Sequence, residues 1–173
     1  GGLVNPVDKV GEIARKHNLI YVLDACQSVG HMPIDVEKIG CDILAGTGRK
    51  FLRGPRGTGF LYVSKRILSG LHPPFIDLHS AQWVSIDQYK LRSDARRFES
   101  WERHVAGQIG LAEAARYASN IGLEAIQARI YELAKNFRAK LGNILGVEVH
   151  DQGVERCGIV TFTKEGLDAK TLS

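Results

Sequence analysis

Residues 45–63 read AGTGRKFLRGPRGTGFLYV, and a single lysine, Lys50, stands there among five glycines at the end of an apolar run. The apolar residues 43–45 before the loop and residues 59–63 after it have strand character, so Lys50 is expected in a glycine-rich connection between two strands. Upstream, Val7, Val10, Ile13, Ala14 and His17 recur at helical spacing behind Asn5-Pro6. That pair suits a capping acceptor followed by a first-turn proline. LIYVL, residues 19–23, is a β-rich run ending at Asp24, and residues 35–39 form a second helical piece stopped by Gly40. Helix, strand, helix, strand predicts an α/β fold with a parallel-rich sheet flanked by helices, because parallel neighbours need a crossover helix between them.

Beyond the loop, residues 71–103 show no clear period and are expected to wander over the surface or a subunit contact. Val105, Ile109, Ala112, Ala115 and Ala118 predict one helix. Ile126, Ile130, Leu133, Phe137 and Leu141 predict a second, with Gly122 separating the two. VEV and IVTF, after Gly146, read as strands of a smaller α+β part, and GLDAKTLS reads as a helix beginning. The expected division is 1–110 for the half of a large domain that holds the lysine, and 111–173 for interdomain helices and the start of a small C-terminal domain.

A length of 173 residues with 44% hydrophobic content can bury a core. No run approaches the ~18 apolar residues that span a bilayer, and no secretory pattern opens the chain, so a cytoplasmic protein without membrane contact is expected. Cys26, Cys41 and Cys157 are odd in number and form no C-x-x-C pair, which argues against a disulfide framework or a zinc knuckle. The six histidines show no metal-ligand spacing, so no metal is expected. Gly1-Gly2-Leu3 without an initiator methionine, and a C-terminal helix only just begun, read as cuts through a longer protein.

Ligands of parallel α/β sheets sit at the carboxyl ends of the strands. Asp24 ends one strand and GTGRK follows the next, so Asp24 and Lys50 should open on one crevice. A bare ion pair is the plain alternative. A P-loop would need Gly before the lysine and Ser or Thr after it, whereas Arg49 and Phe51 stand there. A nucleic-acid patch could use Arg49, Lys50, Arg53 and Arg56, helped by a net charge of +4. No aromatic platform or recognition helix accompanies them, and nucleic acid is not expected as a partner. The third reading is a Schiff-base lysine, its amine made reactive by burial beside the Arg49 cation. Pyridoxal 5'-phosphate (PLP) would need an acid at its ring nitrogen, a place Asp24 suits, and hydroxyl, backbone and cationic donors at its phosphate, which Thr47, Gly48 and Arg49 could supply.

At this point CDILAGTGRKFLRGPRGTGF, residues 41–60, resembles the lysine site of the class V aminotransferase family of fold type I PLP enzymes, which includes cysteine desulfurases and selenocysteine lyases. DACQS, residues 24–28, resembles the family's aspartate and glutamine three apart. The resemblance implies Asp24 at the pyridine nitrogen, Gln27 at the phenolic oxygen, Cys26 beneath the ring, Thr47 and Arg49 at the phosphate, and Lys50 as cofactor lysine and catalytic proton shuttle. RFESWE, residues 97–102, resembles a segment near the family's dimer interface, so a homodimer is implied. Trp101 and Glu102 stand where many relatives have Gly-Thr, and Arg49 replaces a commoner histidine.

The wording of the loop resembles most the branch with isopenicillin-N-epimerase-like proteins and desulfurase homologues. An amino-acid substrate and a carbon–sulfur lyase or cysteine-desulfurase activity are implied. A class V aminotransferase or an epimerase is the alternative within enzymes, and an inactive fragment or basic binding module the alternative outside them. Weak cofactor binding is expected of these 173 residues alone. Cys41 and Cys157 are expected as small core residues, Arg53 and Arg56 as pins of the turn, and Trp83 and Trp101 in packing, an interface or a substrate channel. His31 lies near enough to Asp24 in sequence to approach the site.

Overall fold

The computed structural model describes residues 1–172. Helix α1 (Val7–Lys16) turns Gly11 and Ala14 inward and carries Arg15 and Lys16 in its last turn, where positive charge favours the helix dipole. The cap differs from expectation. Pro6 holds the cap position, and Asn5 contributes its backbone carbonyl to the Val7 N–H at 2.8 Å rather than its side chain.

Strand β1 (Val22–Asp24) is shorter than LIYVL suggested. Asp42 explains this: its carboxylate accepts the Tyr21 N–H at 3.0 Å, while the Asp42 and Ile43 amides both donate to the Tyr21 carbonyl. Pairing thus begins at Tyr21, and Leu19 and Ile20 stay exposed. Helix α2 (Val36–Ile39) is short and fixed at both ends. Asp35 accepts the N–H groups of Glu37 and Lys38 at 3.0 and 3.2 Å, and Gly40 ends the helix in the left-handed region at φ 71°.

Strand β2 (Ile43–Thr47) lies parallel to β1, with Asp24 opposite Ala45. Strand β3 (Gly59–Val63) completes the sheet but runs antiparallel to β2, with Thr47 opposite Gly59. The loop between them, residues 48–58, contains no crossover helix and can only return the chain as a hairpin. Under this sheet Ala25, Ile39, Cys41 and Leu44 form the core, with Leu23, Val29, Ile34, Val36 and Tyr62 packed against it. At the far end from the lysine loop, the buried Asp42 accepts Arg66 Nε at 2.9 Å and Nη2 at 2.6 Å. The Arg66 hydrogen bonds outweigh burial and hold the Asp42 carboxyl below its ordinary pKa.

Helix α3 (Lys65–Leu68) is capped by Ser64. A hairpin that the sequence did not announce follows, β4 (Ala81–Ser85) and β5 (Gln88–Leu91), its turn held by Ser85 Oγ donating to Asp87 at 2.8 Å. Arg97, in a 3-10 turn (Ala95–Phe98), is buried and donates to the carbonyls of Leu68, Leu71 and Arg92 at 2.8–3.0 Å. In this chain the RFE segment therefore ties the residues after α3 to those after β5. Helices α4 (Val105–Ile121) and α5 (Leu123–Gly142) break where expected, at Gly122 with φ 91°. Strands β6 (Val147–Val149) and β7 (Phe162–Lys164) pair antiparallel, so IVTF enters a strand only at Phe162. The helix expected at GLDAKTLS is α6 (Ala169–Leu172); Ser173 lies outside the described residues.

Candidate functional site

The glycine-rich loop closes on itself. The Gly48 amide donates to the Thr58 carbonyl at 2.9 Å, the Gly54 amide to the Gly48 carbonyl at 2.7 Å, and the Arg53 amide to the Lys50 carbonyl at 2.8 Å. Arg53 takes the left-handed conformation at φ 61°, an unusual place for a non-glycine residue, and its guanidinium lies 5.1 Å from the centre of the Tyr117 ring. The turn after β1 docks directly onto this loop. Gly30, at φ 78°, packs so tightly that a Cβ would fall 2.5 Å from the Leu52 nitrogen and 2.8 Å from the Phe51 carbonyl carbon. Only glycine permits that approach, and it carries the Asp24 turn to the Lys50 loop.

Asp24 is exposed, and its Oδ1 accepts the Cys26 N–H at 2.9 Å. That hydrogen bond and a second from the Cys26 side chain hold the carboxyl below its ordinary pKa against the opposing effect of burial, and the attraction of the Lys50 ammonium adds a lesser part. The Cys26 thiol is pushed up, first by its hydrogen bond to Asp24 and then by burial. It is thereby kept protonated, an unreactive form for a thiol. Asp24, Cys26 and Lys50 thus share one electrostatic neighbourhood at the carboxyl ends of the two parallel strands.

Gln27 is exposed and borders two hollows. One, of about 590 Å³, is lined by Lys50, Phe51 and Arg53 with Ile126 and Ile130 of α5. The other, of about 340 Å³, is lined by Asp24, Ser28, His31, Cys157 and Ile159. Thr47 is half-buried at the end of β2, its Oγ1 donating to the Thr58 carbonyl at 3.5 Å. Arg49 is exposed, and among the described residues it makes no ion pair or side-chain hydrogen bond. Trp83 and Trp101 stand apart: Trp83 lines a different groove with Leu78, Ile86 and Tyr89, and Trp101 borders neither of the two hollows that Gln27 borders. Cys41 and Cys157 are buried as expected. Among the described residues no group of three or more His, Cys, Asp or Glu could hold a metal ion, and no helix is long and apolar enough to cross a membrane.

The α5 stripe of Ile126 and Ile130 was legible as an apolar face but not as a wall beside Lys50. Gly30 and Gly158 escaped notice as well, since their importance lies in what the backbone meets across the fold. His31 does approach the site, fully buried with its ring 4.0 Å from that of Phe51.

The sequence profile of the family described as aminotransferase class-V matches residues 1–173. The chain belongs to that family. A probable cysteine desulfurase from Methanothermobacter thermautotrophicus is 35% identical over 167 residues, covering 96% of this chain and 42% of the relative. The apo structure of a cysteine desulfurase from Thermococcus onnurineus superposes with a TM-score of 0.92 at 35% identity, over 99% of this chain and 43% of that one. A C-DES variant with glycine covalently linked to its PLP cofactor shares the fold at a TM-score of 0.85 and 23% identity, over 95% of this chain and 44% of that one. The chain therefore spans about two-fifths of the length of these relatives.

Proposed function

We propose that this class V chain supplies the lysine-bearing part of a PLP-dependent carbon–sulfur lyase of the cysteine desulfurase type, acting on an amino acid. The observation that supports the reading is the placement of Asp24 at the end of β1 and of Lys50 just after the parallel strand β2, with Gln27 bordering both the hollow lined by Asp24 and the one lined by Lys50. Relatives 35% identical and named cysteine desulfurases support the choice of reaction.

The donor set fits the cofactor chemically. Lys50 would hold its aldehyde carbon, Asp24 its ring nitrogen, Gln27 its phenolic oxygen, and Thr47 and Arg49 its phosphate. When bound, PLP supplies an electron sink that lets bonds around the substrate's α-carbon break heterolytically. Asp24, ionised across the neutral range, keeps a proton at the ring nitrogen. The Lys50 amine would remove and return the proton at the substrate's α-carbon. The exposed Arg49 guanidinium, which makes no ion pair among the described residues, offers a fixed positive charge to a phosphate. We also place the large-domain part at 1–110 and the interdomain helices with the beginning of the small domain at 111–173. We assign a homodimer in the cytoplasm.

The intact protein should be coloured by bound PLP and lose that colour on borohydride treatment with the cofactor fixed covalently to the chain, whereas Lys50→Ala should incorporate no cofactor covalently under the same treatment. Cysteine should yield alanine and reducible sulfur. Release of an oxo acid or racemised cysteine instead would move the protein to the aminotransferase or epimerase alternative. Colourless protein that stays colourless with added PLP would end the reading.

A further inference from the structure

We propose that His31 is a positioning residue that holds Gln27 at the site and does so from the chain segment around Gly158. The inference rests on the assignment of Gln27 as a cofactor contact and adds a residue through which that contact is set. Every atom of His31 is shielded from solvent. Nε2 lies 3.1 Å from the Gly158 amide nitrogen, and Nδ1 lies 3.2 Å from the Gln27 carbonyl oxygen. A backbone N–H can only donate and a carbonyl can only accept, so these two contacts together fix one tautomer. The ring is neutral, protonated at Nδ1 and bare at Nε2.

The ring cannot slide out of this position. It stacks on Phe51, the residue after Lys50, at 4.0 Å and meets Tyr131 of α5 edge-on at 6.2 Å. Gly158 is small for the same reason: a Cβ there would sit 2.3 Å from Ile130 Cγ2 and 3.1 Å from Nε2. The segment is itself anchored, since Arg138 donates to the carbonyls of Cys157 and Ile159 at 2.8 Å each and pairs with the buried Asp151 at 2.7 Å. Polar contacts therefore run without a gap from Asp151 through Arg138, the segment and His31 to the Gln27 backbone. A displacement of the segment is passed to Gln27, which borders both the hollow lined by Lys50 and the one lined by Asp24.

Two measurements on the intact protein decide this. In 15N NMR the His31 ring should show a protonated Nδ1 and a bare Nε2 at neutral pH, with a slowly exchanging Gly158 amide; the opposite tautomer overturns the proposal. His31→Phe keeps the packing against Phe51 and Tyr131 but loses both hydrogen bonds. With PLP loaded, it should shift the visible absorbance band and weaken cofactor affinity about tenfold, the scale of one net hydrogen bond. His31→Asn, whose amide can still donate to the Gln27 carbonyl, should recover part of the loss. In Gln27→Ala the Phe substitution should have no further effect on band or affinity. Effects that simply add, or a band and affinity unchanged in His31→Phe, overturn the proposal. Failure of the wild type to bind PLP strikes the functional reading instead, and the tautomer and the Gly158 amide then judge the clamp alone.

Discussion

At Asp24 one carboxylate oxygen is already engaged by the Cys26 N–H, so a ligand meets a side chain whose direction is set. Asp24→Asn keeps an oxygen able to accept that bond and removes only the charge. The fold should survive, as the side chain is exposed. Turnover should fall by about 10²–10⁴-fold, the range of a lost acid–base partner, with an unchanged far-UV spectrum as control. Cys26 offers the opposite expectation. With its thiol pushed up by its hydrogen bond to Asp24 and by burial, Cys26→Ala should leave cysteine turnover within about threefold of wild type, because a thiol that is protonated at neutral pH is a poor nucleophile. Measured alkylation of Cys26 should be slow at neutral pH for the same reason.

Among the elements, the join between the Asp24 turn and the lysine loop depends on Gly30 more than on any side chain. Gly30→Ala puts a Cβ into the backbone of Phe51 and Leu52 at a positive φ, and neither piece is a flexible side-chain end that could move aside. A loss of about 1–3 kcal/mol in denaturant unfolding is expected, with weakened cofactor binding. Gly40→Ala, also at positive φ, meets first the far end of the Arg15 side chain rather than backbone and should cost less. These elements also show what could be read in advance. The β1–α2–β2 unit was legible because Asp35, Gly40 and the apolar residues 43–45 each carry a local signal. The hairpin of β4 and β5 was not: Gln82 to Ser85 are all exposed, so nothing is buried on one side to impose alternation. The direction of β3 was hidden as well, since side-chain period does not encode strand polarity. Asp24 and Lys50 were legible as candidates because strand ends are local marks, whereas His31 and Gly158 are 127 residues apart and only the folded chain brings them together.

For the whole molecule, the decisive long-range tie joins the first residues to the segment between β6 and β7. Asp151 has no solvent-exposed side-chain surface, yet burial does not keep it neutral. The Thr161 hydroxyl and amide, the Gly2 amide and the Arg138 guanidinium all donate to it, and together they overcome desolvation and hold its pKa far below the ordinary carboxylate value. The consequence for stability has a definite sign. A carboxyl depressed in the folded state binds fewer protons there than in the unfolded chain, so its contribution is fully present above the unfolded pKa of about 3.9 and is lost as pH falls toward the folded value. Asp151→Asn removes the charge and leaves Arg138 buried beside a neutral amide, which should cost about 3–5 kcal/mol at pH 7. Urea unfolding of wild type and variant across pH 7 to 3 should therefore show two curves that begin to approach each other only below about pH 4, because the wild type alone loses this contribution on acidification. A gap that stayed constant down to pH 3, or closed already near pH 6, would mean that Asp151 is not the group that ties residues 1–4 and the Gly158 segment to α5.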